Sequence, residues 1–218
     1  VRDHAIFVGN DADIVPDAFG PDLPIIRDWT RGHYSFAGYV TGFDPTDFAD
    51  RSRLRRELGY QDDETVCMVT VGGSGVGGHL LRRVADAFPE AKRRVPALRM
   101  VVVTGPRIDP QMLPQHEGLE VRGYVHELYR HLAVCDLAIV QGGLTTCMEL
   151  TATRRPFLYF PLRHHFEQNF HVRHRLQQYR AGRMMDFQVA TPDMIAEAIA
   201  QEIGRDVDYR PVERDGAG

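Results

Sequence analysis

From Thr65 onward two hydrophobic rhythms alternate. Short, nearly continuous apolar runs occur at TVCMVTV (65–71), LRMVVVTG (98–105), LEVRGYV (119–125), LAIV (137–140) and PFLYFP (156–161). Between most of them lie stretches whose apolar residues recur three and four positions apart, the spacing of one helix face. These are HLLRRVADAFPEAKRR (79–94), Glu127–Ala133, Thr145–Ala152, Phe166–Tyr179 and Pro192–Ile203. Strands apolar on both sides, alternating with amphipathic helices, predict an α/β fold: a parallel sheet with helices on both faces. In such a sheet ligands bind outside the carboxyl ends of the strands. That selects the loops at Val71–His79, Gly123–His126 and Gln141–Thr146, with Pro161–His171 as a fourth wall.

The pattern is weaker at both ends. Residues 1–60 are rich in Pro, Gly and Asp, with short apolar runs at Ala5–Val8 and Phe36–Val40. This predicts a connecting segment with one or two short strands. Residues 61–205 form the sheet domain, and 206–218 read as a flexible polar tail. The opening residues lack a basic region followed by an apolar run, the mark of a signal peptide. They also begin without methionine, which suggests a piece of a longer protein.

Composition changes this picture little. A chain of 218 residues with 43% hydrophobic and 26% charged residues has the balance of an ordinary globular domain. A formal net charge of −4 gives no reason to expect a nucleic-acid partner. Cys67, Cys135 and Cys147 are scattered and form no CxxC pair, so neither a disulfide framework nor a zinc site is expected, and a reducing, cytoplasmic setting is. No run reaches the roughly 20 apolar residues of a membrane span.

The chemistry gathers in the strand-end loops. VGGSGVGGHLL places glycines at 72, 73, 75, 77 and 78 between a strand and a helix. Such a turn lets backbone N–H groups approach a phosphate beside a helix N-terminus. Gly73, Gly75 and Gly78 satisfy GxGxxG, but the next strand ends Val103-Thr104-Gly105-Pro106-Arg107 without the acid a dinucleotide site requires. Gly78-His79 likewise breaks the lysine-bearing phosphate loop. QGGLTTCMEL offers a second turn. Gly142 and Gly143 open it, Thr145 and Thr146 stand at a helix start where an anion would lie, and Glu149 follows one turn later, placed to accept the two hydroxyls of a ribose. The bland alternatives are a tight turn, an ordinary cap at Thr146, and a surface acid at Glu149 paired with Arg154 or Arg155. RHHFEQNFHVRH groups four histidines with Glu167, but at no common metal-ligand spacing, so no metal is expected. Helical spacing puts Phe166 and Phe170 on a core face, and Glu167 and His171, beside Gln168, on a polar one.

Together these elements resemble the C-terminal, donor-binding domain of metal-independent GT-B glycosyltransferases, the MurG-like, family 28 type. The resemblance rests on Gly72-Gly73-Ser74-Gly75, on Gly142-Gly143 with Thr146 and Glu149, and on Pro161 followed by Glu167-Gln168. It covers about Thr65 to Ile203. It implies a Rossmann-like domain, one half of a GT-B fold. It also implies roles. Gly73, Ser74, Gly75, Gly143, Thr145 and Thr146 would contact a diphosphate, and Glu149 a ribose. Tyr124, Val125 and His126 would flank the base, largely through backbone, and Glu167, Gln168 and His171 would hold the donor sugar. The donor would be a nucleotide sugar, UDP-linked, and the acceptor a hydroxyl. No cofactor or metal would be needed. The catalytic base would come from an N-terminal acceptor-binding domain of the same protein, leaving His79 and His165 as the residues to watch on this chain. Gln141, where His or Arg often stands, and His171, where Asn is frequent, depart from the pattern. A nucleotide-sugar binding module without its own catalysis, or a nucleotide-sugar hydrolase, are the alternatives. Peripheral contact with a membrane would follow if the acceptor were a lipid.

Overall fold

The computed structural model describes residues 4–73, 75–163 and 165–214. Among these the leading 60 residues hold β1 (Ile6–Val8) and β2 (Ser35–Ala37), a parallel pair separate from the main sheet, and two helices, α1 (Ile26–His33) and α2 (Arg51–Glu57). The main sheet has six strands: β3 (Thr65–Thr70), β4 (Leu98–Val103), β5 (Leu119–Arg122), β6 (Leu137–Val140), β7 (Phe157–Tyr159) and β8 (Arg183–Met184). All pairs are parallel, in the order β5-β4-β3-β6-β7-β8. The apolar runs announce the first five. The sixth is two exposed residues with no run of its own, held to β7 by its backbone.

The central strands are largely apolar because both faces are covered, whereas charged residues stand toward the β5 and β8 edges and at Arg99 of β4. Cys67, Val69, Met100 and Val102 point into one core with α3 (Gly78–Arg94) and α7 (Pro192–Glu202). Their neighbours Val66, Met68, Val101 and Val103 point into the other. That second core is covered by α4 (Leu128–Val134), α5 (Leu144–Ala152), α6 (Arg173–Tyr179) and part of the leading segment. Helix α3 runs through Pro89, which forfeits a backbone hydrogen bond, but its buried face of Leu81, Val84, Ala85, Phe88 and Ala91 keeps it on the sheet. The three cysteines are free and buried.

Two features correct the sequence expectations. Residues 206–214 are not a loose tail. Tyr209 is buried against Phe157, Arg210 N–H donates to Tyr179 O at 2.9 Å, and Tyr39 N–H donates to Glu213 O at 2.8 Å. An aromatic anchor and backbone pairing outweigh the polarity of the surrounding residues. Nor do Phe166 and Phe170 face the core: they are 61% and 48% exposed and stack on each other. The segment Glu167–Val172 winds as a π-helix, so Gln168 and Val172 turn inward instead.

The leading segment is tied to the sheet domain by charge. On α2, Arg51 and Arg55 both reach Asp136, at 2.5 and 3.1 Å, and Asp136 accepts the Val66 N–H at 2.7 Å. Near β1, Asp13 and Arg175 form a pair 3.8 Å apart, both almost wholly buried. The Arg175 guanidinium also donates to Val8 O.

Not every glycine in the first turn serves a ligand. A Cβ on Gly77 would lie 2.2 Å from Val71 Cβ, in the residue that immediately follows β3. Gly77→Ala is therefore expected to destabilise the fold by about 1–3 kcal/mol through overpacking, measurable as a lowered urea midpoint with an unchanged slope.

Candidate functional site at the sheet's switch point

The chain leaves β3 toward β4 and β5 on one side, then returns and builds β6, β7 and β8 on the other. The crevice between β3 and β6 is thus a topological switch point, where α/β sheets bind ligands. Two glycine turns flank it. After β3, Gly72 and Gly75 adopt φ of +73° and +81°, backbone that side chains avoid. Ser74 lies outside the described residues. After β6, Gly142 has φ of +98°, and a Cβ on it would lie 3.5 Å from the Cα of Pro161, just past β7.

Helix α5 starts at this second turn with Gly143 as N-cap. No side chain caps it, and a Cβ on Gly143 would meet nothing within 4 Å. The first N–H groups of α5 thus have no side-chain cap among the described residues, and an anion placed there would gain both hydrogen bonds and the helix dipole. Thr145 is exposed and Thr146 partly so; neither acts as the cap.

Glu149 follows one turn later, partly buried. Among the described residues it has no ion pair, since the Arg154 guanidinium donates to Val207 O and Arg155 to Thr153 O. Burial raises its pKa to about 7. Sequence reasoning missed its neighbour, Tyr39, a buried residue of the leading segment. The Tyr39 phenol is raised by burial and then by the Glu149 charge, while the Thr145 hydroxyl opposes the rise. The only hint was a tyrosine in the short apolar run FAGYV.

Beyond β5, Tyr124 is 75% exposed, His126 is exposed and Val125 is buried, so Val125 can offer a ligand only its backbone. The β5 and β6 ends are three strand spacings apart, about 14 Å, a span a nucleoside diphosphate can bridge.

The wall after β7 is built by its own side chains. Gln168 Oε1 accepts the Leu162 N–H at 2.9 Å. Asn169 Nδ2 donates to Leu162 O, and to Arg163 O and His165 O at 3.1 Å each. Gln168 thus holds the loop and is buried, whereas Glu167 is exposed and His171 is half-buried, its pKa lowered by burial. Asn169 was not singled out in the sequence; its role depends on the π-helix that brings it under the loop.

A cavity of about 760 Å³ opens on the β7–β8 side of the crevice, reaching Gly77, His79, Gln141, Pro161 and His165. Thr145, Thr146, Glu149 and the Tyr124–His126 loop lie outside its lining. His79 and His165 line this neighbouring space, whereas the described residues expected to meet a diphosphate and a ribose do not. Among the described residues no three His, Cys, Asp or Glu side chains group as a metal site.

Known proteins carry the same architecture. A calicheamicin glycosyltransferase structure superposes with a TM-score of 0.57 at 18% identity, over 83% of this chain and 41% of its own. A spinosyn rhamnosyltransferase complexed with thymidine diphosphate gives 0.56 at 21%, over 79% and 44%. In sequence, an uncharacterized glycosyltransferase of Methanopyrus kandleri is 31% identical across 73% of this chain and 44% of its own length. The UDP-N-acetylglucosamine–N-acetylmuramyl-(pentapeptide) pyrophosphoryl-undecaprenol N-acetylglucosamine transferase of Carboxydothermus hydrogenoformans is 32% identical across 53% and 32%. The chain spans less than half the length of these relatives. Residues 66–207 match the glycosyltransferase family 28 C-terminal domain, and with that match over most of its length, lying across a crevice built as described, the chain belongs to that family.

Proposed function

We propose that this chain is the donor-binding part of a metal-independent glycosyltransferase that moves a sugar from a UDP-linked donor to a hydroxyl acceptor. The observation that carries the reading is the start of α5 at the switch point, which has no side-chain cap among the described residues, with Glu149, unpaired among those residues, one turn beyond. The diphosphate lies against Gly73, Ser74, Gly75, Gly143, Thr145 and Thr146, and Glu149 accepts the ribose hydroxyls. Tyr124, Val125 and His126 flank the base. Glu167 and His171 face the sugar, with Gln168 shaping the wall. As the glycosidic bond breaks, charge grows on the leaving diphosphate, and backbone N–H groups and the α5 dipole meet it without a metal. The acceptor hydroxyl needs a general base, which we assign to an upstream acceptor-binding domain of the same protein. The uridine assignment draws support from the relative whose name specifies a UDP-sugar; the neighbour holding thymidine diphosphate makes dTDP the competitor to test. No described helix is long and apolar enough to cross a membrane, and we place the enzyme in the cytoplasm, touching a membrane only if its acceptor is a lipid.

Calorimetry with UDP and dTDP, with and without EDTA, tests this reading. UDP should bind in both conditions and more tightly than dTDP. Loss of binding on chelation would overturn the metal-free mechanism, and equal or tighter dTDP binding would overturn the uridine assignment.

A further inference from the structure

The sheet stops shaping the chain just past β7. The β6–β7 ladder closes with Phe160 N–H on Val140 O at 2.9 Å, and Pro161 has no N–H to extend it. From there two consecutive side chains of the π-helix Glu167–Val172 take over. Gln168 Oε1 accepts the Leu162 N–H at 2.9 Å, and Asn169 Nδ2 donates to the Leu162 carbonyl. Both backbone polar groups of Leu162 are thus held by residues six and seven positions later. Asn169 reaches further. Its Nδ2 also donates to the carbonyls of Arg163 and His165, at 3.1 Å each, and its own backbone N–H donates to His165 O at 3.1 Å. A turn bond from His165 N–H to Leu162 O at 3.0 Å closes the same loop. Three carbonyl acceptors around one atom require the amide nitrogen there, since an oxygen would face only other oxygens. The π-turn is what sets Gln168 and Asn169 under the loop, and such turns recur at functional sites.

We propose that Asn169 is a positioning residue for donor recognition: by clamping Leu162, Arg163 and His165 it holds the loop after β7 in the shape that meets the donor's sugar. The clamp stands on the hydrogen bonds alone, whereas its role toward the sugar rests on the donor-binding reading. The held loop abuts the turn that starts α5, where a Cβ on Gly142 would lie 3.5 Å from Pro161 Cα. A group attached to a diphosphate at that helix start must therefore pass this loop. A loose loop would lose conformational freedom on each binding event, and a clamped one has already lost it. The nucleoside and its phosphates do not need the loop, so the effect of Asn169 falls on the sugar.

Calorimetry on the 218-residue chain with UDP, UDP-N-acetylglucosamine and UDP-glucose tests the role, read as the ratio of nucleotide-sugar to UDP affinity. Glu149 cancels from that ratio, because the ribose is common to all three ligands. Asn169→Ala should lower the ratio about five- to tenfold for the tighter-binding sugar, with UDP affinity itself changed less than about twofold. Asn169→Asp keeps the shape but sets a carboxylate against three carbonyls. At pH 8 it should lower the ratio at least as far, and at pH 5 it should recover part of the loss as the carboxyl regains a proton to donate. Hydrogen exchange tests the clamp without any ligand: the Leu162 amide should exchange about tenfold or more faster in Asn169→Ala than in the parent. Unchanged exchange would overturn the clamp. An unchanged ratio, or equal weakening of UDP and its sugars, would overturn the role in donor recognition. Faster exchange in the variant, with no UDP binding by the parent, would leave the clamp standing and overturn the nucleotide reading on which that role depends.

Discussion

Glu149→Ala is expected to weaken UDP binding about 10- to 150-fold, the loss of about 1.5–3 kcal/mol that follows removal of a charged hydrogen-bond acceptor. The fold should survive, because Glu149 sits on α5 with part of its surface in solvent and makes no ion pair among the described residues. Its titration gives a second, independent readout. Burial lifts the carboxyl from its ordinary 4.5 to about 7. Below pH 4.5 the group is protonated in the folded and unfolded chain alike. Between 4.5 and about 7 the unfolded chain has released a proton that the folded chain still holds, so stability falls as pH rises; above 7 the penalty is constant. Solvent contact keeps that penalty below its fully buried size. Glu149→Gln should flatten this slope in urea melts taken from pH 4 to 8. Ligand binding should run the other way, since a ribose diol donates to the carboxylate: UDP affinity should rise through pH 7 in the parent more than in Glu149→Gln. Identical UDP affinities for parent and Glu149→Ala would reduce Glu149 to a surface acid.

Asp13→Ala is expected to be the most disruptive single substitution in the leading segment, costing about 3–5 kcal/mol. It strands the Arg175 guanidinium, whose Nη1 already lacks a hydrogen-bond partner. The pair itself is a poor source of stability. Burial raises the Asp13 pKa despite the opposing Arg175 charge, which places the desolvation cost above the attraction at 3.8 Å. Asp13→Ala combined with Arg175→Met should therefore recover most of the loss. Urea unfolding of the two single variants and the double variant measures the coupling. Trp29, the only tryptophan, lies on α1 and reports by fluorescence whether the leading segment detaches before the sheet unfolds. Additive losses in the double variant would show that the two residues act independently.

The sheet was legible because parallel strands covered on both sides are nearly continuous apolar runs, as in β6 and, apart from the terminal threonines of β3 and Arg99 of β4, in those two strands. The glycine turns were legible because backbone at positive φ, as at Gly72 and Gly142, selects glycine. What escaped was whatever depended on contacts distant in sequence or on a broken period. β8 has two exposed residues and is defined only by its pairing with β7. The faces of Phe166 and Phe170 were misassigned because an α-helical period was applied across a π-helix. Tyr39 and Tyr209 look like loop residues until the chain brings them to Glu149 and Phe157, more than 50 positions away in sequence or more.

The strand order also dictates when the crevice can exist. β3 pairs with β6 through Cys67 and Leu137, some 70 residues apart, after the excursion through β4 and β5. Closing so long a loop is entropically expensive, and such contacts are made late. Neither glycine turn has its opposite wall until that pairing forms. A nucleotide that recognises both walls consequently finds nothing to hold in the early ensemble. Its stabilisation should appear almost wholly as slower unfolding, with the folding rate unchanged.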